Sequence, residues 1–207
     1  MLLLPAAAVT AARQAELLRP DTRTLAFRWI AARLPRGDRI LLDDYGPVLR
    51  PSPAAVARRL ARLAGLPPDH PFLFGRRLAL ELLRRHPPDP AFDVEELAHP
   101  WWSPRELTRA EILGDRSQWR FGDPLEPRRP RPLAAYRRAG IRWVVTNSAA
   151  MERYAFPGAE ARYPSFVRFY RELRRLRPVA TFDPRALGAR GPMVWIYDLG
   201  PPPAPQG

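Results

Sequence analysis

The sequence predicts an α/β protein, a three-layer sandwich with a mostly parallel sheet and an antiparallel edge formed by the C-terminal strands. Two observations support this prediction. Residues 40–42 (ILL) and 141–145 (IRWVV) are short, largely apolar strand patterns, which are typical of strands covered on both faces. Segments with helical periodicity separate the predicted strands, as in folds that alternate strands with helices. The first strand pattern, with the polar residues that follow it, covers residues 39–45.

Four helices are predicted in the N-terminal half, over residues 6–18, 22–34, 53–64 and 75–86. Asp21 and Ser52 precede two of them and are predicted N-caps, because their side chains can accept hydrogen bonds from first-turn N–H groups. In the fourth helix, the inward face is predicted to contain Leu78, Ala79, Leu82 and Leu83.

Further elements follow in the C-terminal half. Strands are predicted at residues 91–97, 141–146, 179–182 and 193–199, and the last two should pair antiparallel at the sheet edge. Helices are predicted at residues 104–113, 132–139 and 164–176. Residues 114–131 are rich in charge and proline, which predicts an irregular surface segment.

The chain is expected to contain one folded domain, over residues 20–199, followed by a loose proline-rich tail at residues 200–207. Residues 1–19 are interpreted either as an ordinary N-terminal helix or as the end of a membrane helix with its linker. No stretch contains the roughly 20 apolar residues that cross a bilayer. The apolar start also lacks the basic residues of a signal peptide.

Composition restricts the possible functions. Cysteine is absent, which excludes disulfides, a thiol nucleophile and thiolate metal ligands. The formal charge is +13 and every basic residue is arginine, which with 27 prolines indicates a compositional bias. The positive field should still attract anionic surfaces, including lipid phosphates. Aromatic residues lie mainly on apolar faces instead of alternating with the arginines, which argues against nucleic-acid binding.

Polar residues follow both clear strands. Asp43, Asp44 and Tyr45 end the first, and Thr146, Asn147 and Ser148 end the second. Open α/β sheets form their clefts at such carboxyl ends, so neighbouring strands would give these residues a shared rim for a polar ligand. Turn chemistry and solvated carboxylates are the alternative explanation. The two aspartates should point to opposite faces, which argues against their acting as one catalytic pair.

Standard catalytic and cofactor motifs are missing. The three histidines, at positions 70, 86 and 99, lie beside prolines without zinc-ligand spacing, so neither a metal nor a cofactor is predicted. The sequence around Ser148 is TNSAA and not a nucleophile elbow. Trp101 and Trp102 could pack a loop onto the core, stack on a sugar or lie at a membrane interface.

Four segments resemble a known family in order along the chain. They are PDTRTLAFRWIAARLPRGDRILLDDYGP (20–47), AGIRWVVTNS (139–148), YPSFVRFYRELRRLRPVATFDP (163–184) and GPMVWIYDL (191–199). They resemble the C-terminal soluble domain of bacterial family 39-like membrane glycosyltransferases, in the protein mannosyltransferase and aminoarabinose transferase superfamily. In that family, a preceding membrane domain carries the catalytic acids and uses a polyprenyl-phosphate-linked sugar.

The resemblance implies a non-catalytic extracytoplasmic domain, detached or truncated, at the cell membrane. Asp43 and Asp44 do not match the family's catalytic acids, so no catalytic residue is assigned and whether the chain is an enzyme stays open. Implied partners are membrane-embedded transferase helices or an anionic lipid surface, together with a glycan or lipid-linked sugar. Residues 1–18 would correspond to the end of the last membrane helix and its exit linker.

Two other functions remain open from the sequence. A free-standing soluble enzyme acting on a sugar or nucleotide would use the same rim, and it would be cytoplasmic. Turnover by the purified chain would identify it. A basic nucleic-acid-binding module would instead show strongly salt-dependent binding to DNA or RNA.

Overall fold

A computed structural model describes residues 9–10, 14, 18–67, 69–70, 73–97, 99, 103, 105–114 and 129–201. Its strands are β1 (Arg39–Asp43), β2 (Asp93–Leu97), β3 (Ile141–Asn147), β4 (Ala180–Phe182) and β5 (Val194–Asp198). They form one open sheet in the order β2-β1-β3-β5-β4. β1 pairs in parallel with β2 and β3, whereas β5 is antiparallel to β3 and β4. The predicted α/β class and antiparallel C-terminal strand pair are therefore confirmed.

Helices connect these strands. They are α1 (Thr22–Arg33), α2 (Pro53–Leu63), α3 (Leu73–Arg85), α4 (Arg109–Gly114), α5 (Leu133–Arg138), α6 (Ser148–Glu152), α7 (Ala159–Arg162) and α8 (Pro164–Arg174). Asp21 caps α1 and Ser52 caps α2 through side-chain oxygens, as predicted. The sequence did not predict α6 and α7, because four or five residues are too few to show a helical period.

Strand β1 lies between β2 and β3 and is covered on both faces, as its apolar pattern predicts. Ile40 and Leu42 belong to one buried cluster, which includes residues of α1 such as Ile30. Leu41 belongs to a second cluster, which includes Phe169 of α8. Successive side chains of a strand point to opposite faces, so these two clusters lie on opposite sides of the sheet.

Helix α8 largely follows its predicted apolar stripe. Phe166, Phe169, Tyr170 and Leu173 are all at most 3% exposed. Leu176 is 38% exposed, so its assignment to the buried stripe is wrong. The reason is that the helix ends at Arg174, before the next turn could carry Leu176 to the sheet.

The predicted inward face of α3 is mostly wrong. Leu78 and Leu82 are each 51% exposed and Ala79 is also exposed, whereas Leu80 is 5% exposed. The helix packs through Leu80, with Leu73 and Leu83, against a cluster containing residues of α2. Only Leu83 of the predicted set contacts that cluster. The prediction of the buried face failed because α3 has leucines on two faces, and helical periodicity alone does not show which of them is buried.

Several predictions fall outside the described residues. These are most of the helix at residues 6–18, Trp101 and Trp102, most of the segment 114–131, and the end of the tail. The division of the chain into a leading helix, one domain and a tail stays a prediction. Within the described ranges, no helix is both long enough and apolar enough to span a membrane.

Candidate functional site

The polar ends of β1 and β3 lie together. The two strands are parallel neighbours, with Leu42 in register with Val145. Their carboxyl ends therefore meet at the same edge of the sheet, as the sequence analysis anticipated for neighbouring strands. The side chains at this edge divide into a buried group and an exposed group.

The buried group is centred on the carboxylate of Asp43, which is 3% exposed. Its Oδ1 lies 2.5 Å from Nε2 of His99 and accepts from the backbone N–H of Asp44 at 3.0 Å. Its Oδ2 accepts from the hydroxyls of Thr146 at 2.5 Å and Tyr170 at 2.8 Å. A carboxylate has about four acceptor positions, so groups of the protein occupy all of them.

His99 is held through both ring nitrogens. While Nε2 faces Asp43, Nδ1 lies 2.9 Å from the hydroxyl of Tyr154. The imidazole packs on Phe166 with ring centroids 4.9 Å apart, and Phe166 stacks on Tyr154 at 4.5 Å. The His99 side chain is 0% exposed, so a ligand at the protein surface cannot contact it.

The two tyrosines around this pair keep their protons. Burial raises the pKa of Tyr154 and Tyr170, and the negative charge of Asp43 raises it further. The Tyr170 hydroxyl therefore donates to Asp43 at ordinary pH. In the tautomer of His99 that carries its ring proton on Nε2, Nε2 donates to Asp43 and the Tyr154 hydroxyl donates to Nδ1, so the hydrogen bonds run in one direction toward the carboxylate.

Strand alternation explains how these residues meet. Asp43 follows Leu41 by two positions in β1, and Thr146 follows Val144 by two in β3, so each points to the second cluster. His99 likewise lies two residues after Leu97, the end of β2. His99 was not among the site residues predicted from the sequence, because the histidines lack metal-ligand spacing. The signal that could have identified His99 is its position just past a buried strand, where strand alternation points its side chain to the same face as Leu97.

Asn147 and Ser148 are engaged in local structure. Asn147 is fully buried; its Oδ1 accepts from the N–H of Ala150 at the start of α6, and its Nδ2 donates to the carbonyl of Asp44. Ser148 exchanges hydrogen bonds with the backbone of Met193. These contacts match the turn-chemistry alternative and connect the carboxyl edge to β5.

Asp44 and Tyr45 form the exposed group. They line a cleft of about 310 Å³ at the ends of β1 and β2, together with Arg76, Glu96 and neighbouring residues. Asp43 also borders this cleft, but its side chain is only 2% exposed. Tyr45 has a φ of +59°, a left-handed conformation, and it lies in the turn that follows β1. The Arg153 guanidinium lies 4.5 Å from the Tyr45 ring centroid and 3.4 Å from the Asp44 carboxylate.

A second cavity of about 740 Å³ adjoins this cleft, since Gly46 and Val48 line both. Its other lining residues are Asp21, Arg23, Thr24, Phe27, Arg50, Asp89, Pro90 and Arg190. Arg23 pairs with Asp21 at 2.6 Å and lowers the pKa of that carboxyl. The larger cavity therefore carries both apolar and charged groups but contains none of the buried pair.

The described part of the chain contains no group of three or more histidine, aspartate or glutamate side chains arranged to hold a metal ion. Comparisons of the chain with protein-family models, with curated proteins and with solved structures found no match.

Proposed function

We propose that this chain is a non-catalytic extracytoplasmic domain of a polyprenyl-phosphate-sugar-dependent membrane glycosyltransferase. It acts by packing on the membrane part of that enzyme or by binding the glycan acceptor. The ordered resemblance of four segments suggests the family. The single observation that supports a non-catalytic role is the enclosure of Asp43 and His99, whose side chains are 2% and 0% exposed.

The enclosure argues against proton transfer to a substrate. A general base must come within hydrogen-bond reach of the proton that it removes, either directly or through one water. Here the nearest donors to Asp43 are protein groups, and the stacked rings of Tyr154 and Phe166 cover His99. The pair is better suited to holding strands and helix together than to chemistry on a bound molecule.

The exposed cleft is suited to binding. Asp44 and Glu96 offer carboxylate oxygens to sugar hydroxyls, and the half-exposed ring of Tyr45 offers a flat apolar surface. Arg76 adds a positive charge in the same cleft. A small pocket that combines an aromatic surface with a few polar groups is typical of ligand recognition.

We further infer that the fold is a three-layer sandwich, with helices on both faces of the sheet. The two buried clusters support this inference. Residues of α1 contribute to one cluster, and residues of α5 and α8 contribute to the other.

Site-specific photocrosslinking in the native cells tests the proposed function. A photoreactive amino acid at Tyr45 should crosslink the chain to a polytopic membrane glycosyltransferase or to a glycan, identified by mass spectrometry. The same probe at Gly37, in the turn before β1, is the matched control and should give neither product. Crosslinks from Tyr45 only to proteins without membrane helices would contradict the proposal.

The cleft also favours a second candidate function, a soluble enzyme acting on a sugar or nucleotide, because α/β enzymes bind substrates at this edge. Purified protein should then turn over such a substrate, and Asp44→Asn or Glu96→Gln should abolish the activity. These exposed positions are better probes than Asp43, whose replacement disturbs the fold. Absence of turnover with polyprenyl-phosphate sugars and nucleotide sugars is the result expected from the first proposal.

A further inference from the structure

Helix α3 has an apolar face that points away from the protein. Phe74 is 82% exposed, and Leu78 and Leu82 are each 51% exposed. Their spacing of four residues aligns them in one stripe along the helix. Gly75 and Ala79, also exposed, lie beside the stripe and leave it without polar interruption on that side.

The stripe lies opposite the side of α3 that holds it in the fold. Leu80 is 5% exposed and belongs to a buried cluster with residues of α2. Leu78 and Leu82 are each two positions from Leu80, about 200° around the helix. α2 in turn contacts β2, so α3 forms an outer layer and its second apolar face cannot reach the sheet.

Exposure of this face is costly. Burying a leucine or phenylalanine side chain stabilises a protein by roughly 1.5–3 kcal/mol relative to leaving it in water. Single exposed apolar residues are ordinary, whereas an aligned stripe on one helix is typical of a docking surface. The stripe therefore indicates a surface that is covered when the protein is in its working environment.

Charge indicates what covers it. Arg77 and Arg85 are exposed and lie three residues after Phe74 and Leu82. Arg77 therefore lies beside the stripe, and Arg85 lies in line with it at the C-terminal end of the helix. The only acidic residue of α3, Glu81, pairs with Arg84 at 2.8 Å. An apolar stripe edged by arginines matches a bilayer whose anionic phosphates lie above its apolar interior.

We propose that the outer face of α3 binds the surface of an anionic lipid bilayer. Phe74, Leu78 and Leu82 enter the boundary between head groups and acyl chains, and Arg77 and Arg85 contact the lipid phosphates. The helix lies in the plane of the surface and does not cross the membrane. This inference rests on the proposed function, since a membrane partner would bring the domain to the lipid.

Vesicle flotation with the full purified chain tests the inference. The chain should bind vesicles made of equal parts phosphatidylcholine and phosphatidylglycerol, and high salt should weaken that binding. Vesicles of phosphatidylcholine alone should bind it at least about tenfold more weakly, since each basic residue near an anionic surface contributes about 1 kcal/mol. Equal binding to both vesicle types would contradict the assigned role of the arginines.

A triple variant tests the stripe. Phe74→Ser, Leu78→Gln and Leu82→Gln together should reduce binding to anionic vesicles by at least about tenfold, given the apolar area that no longer inserts. The matched control replaces exposed apolar residues elsewhere, with Leu176→Gln, Val179→Ser and Leu187→Gln. The control should bind like the native chain. Equal losses in both variants, at unchanged circular dichroism, would overturn the proposal.

A charge variant separates the arginines from the net charge. Arg77→Gln with Arg85→Gln should weaken binding by roughly tenfold, whereas Arg138→Gln with Arg175→Gln, at exposed positions outside α3, should weaken it less. If the two pairs of substitutions weakened vesicle binding equally, the binding would depend on the net positive charge of the protein, and the assignment to α3 would be overturned.

Three further outcomes complete the test and separate this inference from the proposed function. Self-association through the stripe without vesicle binding would make α3 a protein interface and reject the lipid surface. A Tyr45 crosslink to a transferase with no vesicle binding would reject only the α3 inference. Vesicle binding without that crosslink would reject only the transferase partner.

Discussion

The carboxylate of Asp43 and the imidazole of His99 form a buried pair, with Oδ1 2.5 Å from Nε2. Burying such groups is costly unless hydrogen bonds replace the lost water. Here protein groups take the place of that water. Four groups hydrogen-bond to Asp43, and the Tyr154 hydroxyl hydrogen-bonds to His99. The pair consequently connects the ends of three strands to α8, and its integrity should decide the stability of the carboxyl edge.

Adjacent aspartates should respond differently to the same change. Asp43→Asn should lower the free energy of unfolding by about 3 kcal/mol, because it removes the charge that the buried donors surround. Asp44→Asn should lower it by about 0.5 kcal/mol, since that side chain is 39% exposed beside Arg153. Urea denaturation of the three proteins measures the difference. Similar losses would contradict the assignment of Asp43 as the structural member.

The hydroxyl donors to Asp43 should act together. Tyr170→Phe and Thr146→Val should each cost about 1.5 kcal/mol, because each leaves one lone pair of a buried carboxylate without its donor. Both donate to the same Oδ2, so the double variant should differ from the sum of the single variants. A double-mutant cycle in urea gives the coupling, and strict additivity would argue against a shared oxygen.

Alkaline pH should destabilise the protein through its tyrosines. Burial raises the pKa of five of the six tyrosines above the ordinary value of 10.0: Tyr136, Tyr154, Tyr163, Tyr170 and Tyr197. Above pH 10 the unfolded chain therefore holds fewer protons than the folded protein, and the free energy of unfolding falls as pH rises. Below pH 10 both states keep these protons, and the contribution is constant.

Urea denaturation across the alkaline range measures this fall. Tyr154→Phe removes one of the raised groups and should make the fall shallower. If absorbance showed that most of the tyrosines lose their protons while the native circular dichroism persists, the prediction would be contradicted.

Glu106 should stabilise the start of α8. Its carboxylate accepts from the N–H groups of Ser165 at 2.8 Å and Phe166 at 3.2 Å, and it also contacts the Ser165 hydroxyl. Glu106→Ala should cost about 2 kcal/mol, because it removes a buried cap and a negative charge from the positive end of the helix dipole. Glu160→Ala is the control: that side chain is 67% exposed, and its pair with Arg171 should be worth about 0.5 kcal/mol. Equal thermal shifts in the two variants would contradict the capping role.

Much of this architecture could be predicted from local sequence. The apolar run at residues 40–42 requires cover on both faces, and Asp21 and Ser52 fix where α1 and α2 begin. The polar residues after β1 and β3 were correctly placed at one edge. Each of these conclusions depends only on residues that are close in the chain.

Other features depended on residues far apart in the chain. Leucines on two faces of α3 give equal helical periodicity, and only packing on α2 determined that Leu80 turns inward and Leu78 outward. The cap on α8 comes from Glu106, 59 residues before Ser165. Neither partner carries a local signal for such a contact.

The sequence by itself determined the class of fold, the strand pairing at the C-terminal edge and the position of the polar rim. Tertiary structure alone decided which rim residues are buried and which are exposed. Asp43 meets His99 across 56 residues and Tyr170 across 127, because alternation on neighbouring strands points their side chains to the same side of the sheet. Hydrogen bonds between such distant residues depend on strand order and register, which local patterns do not contain.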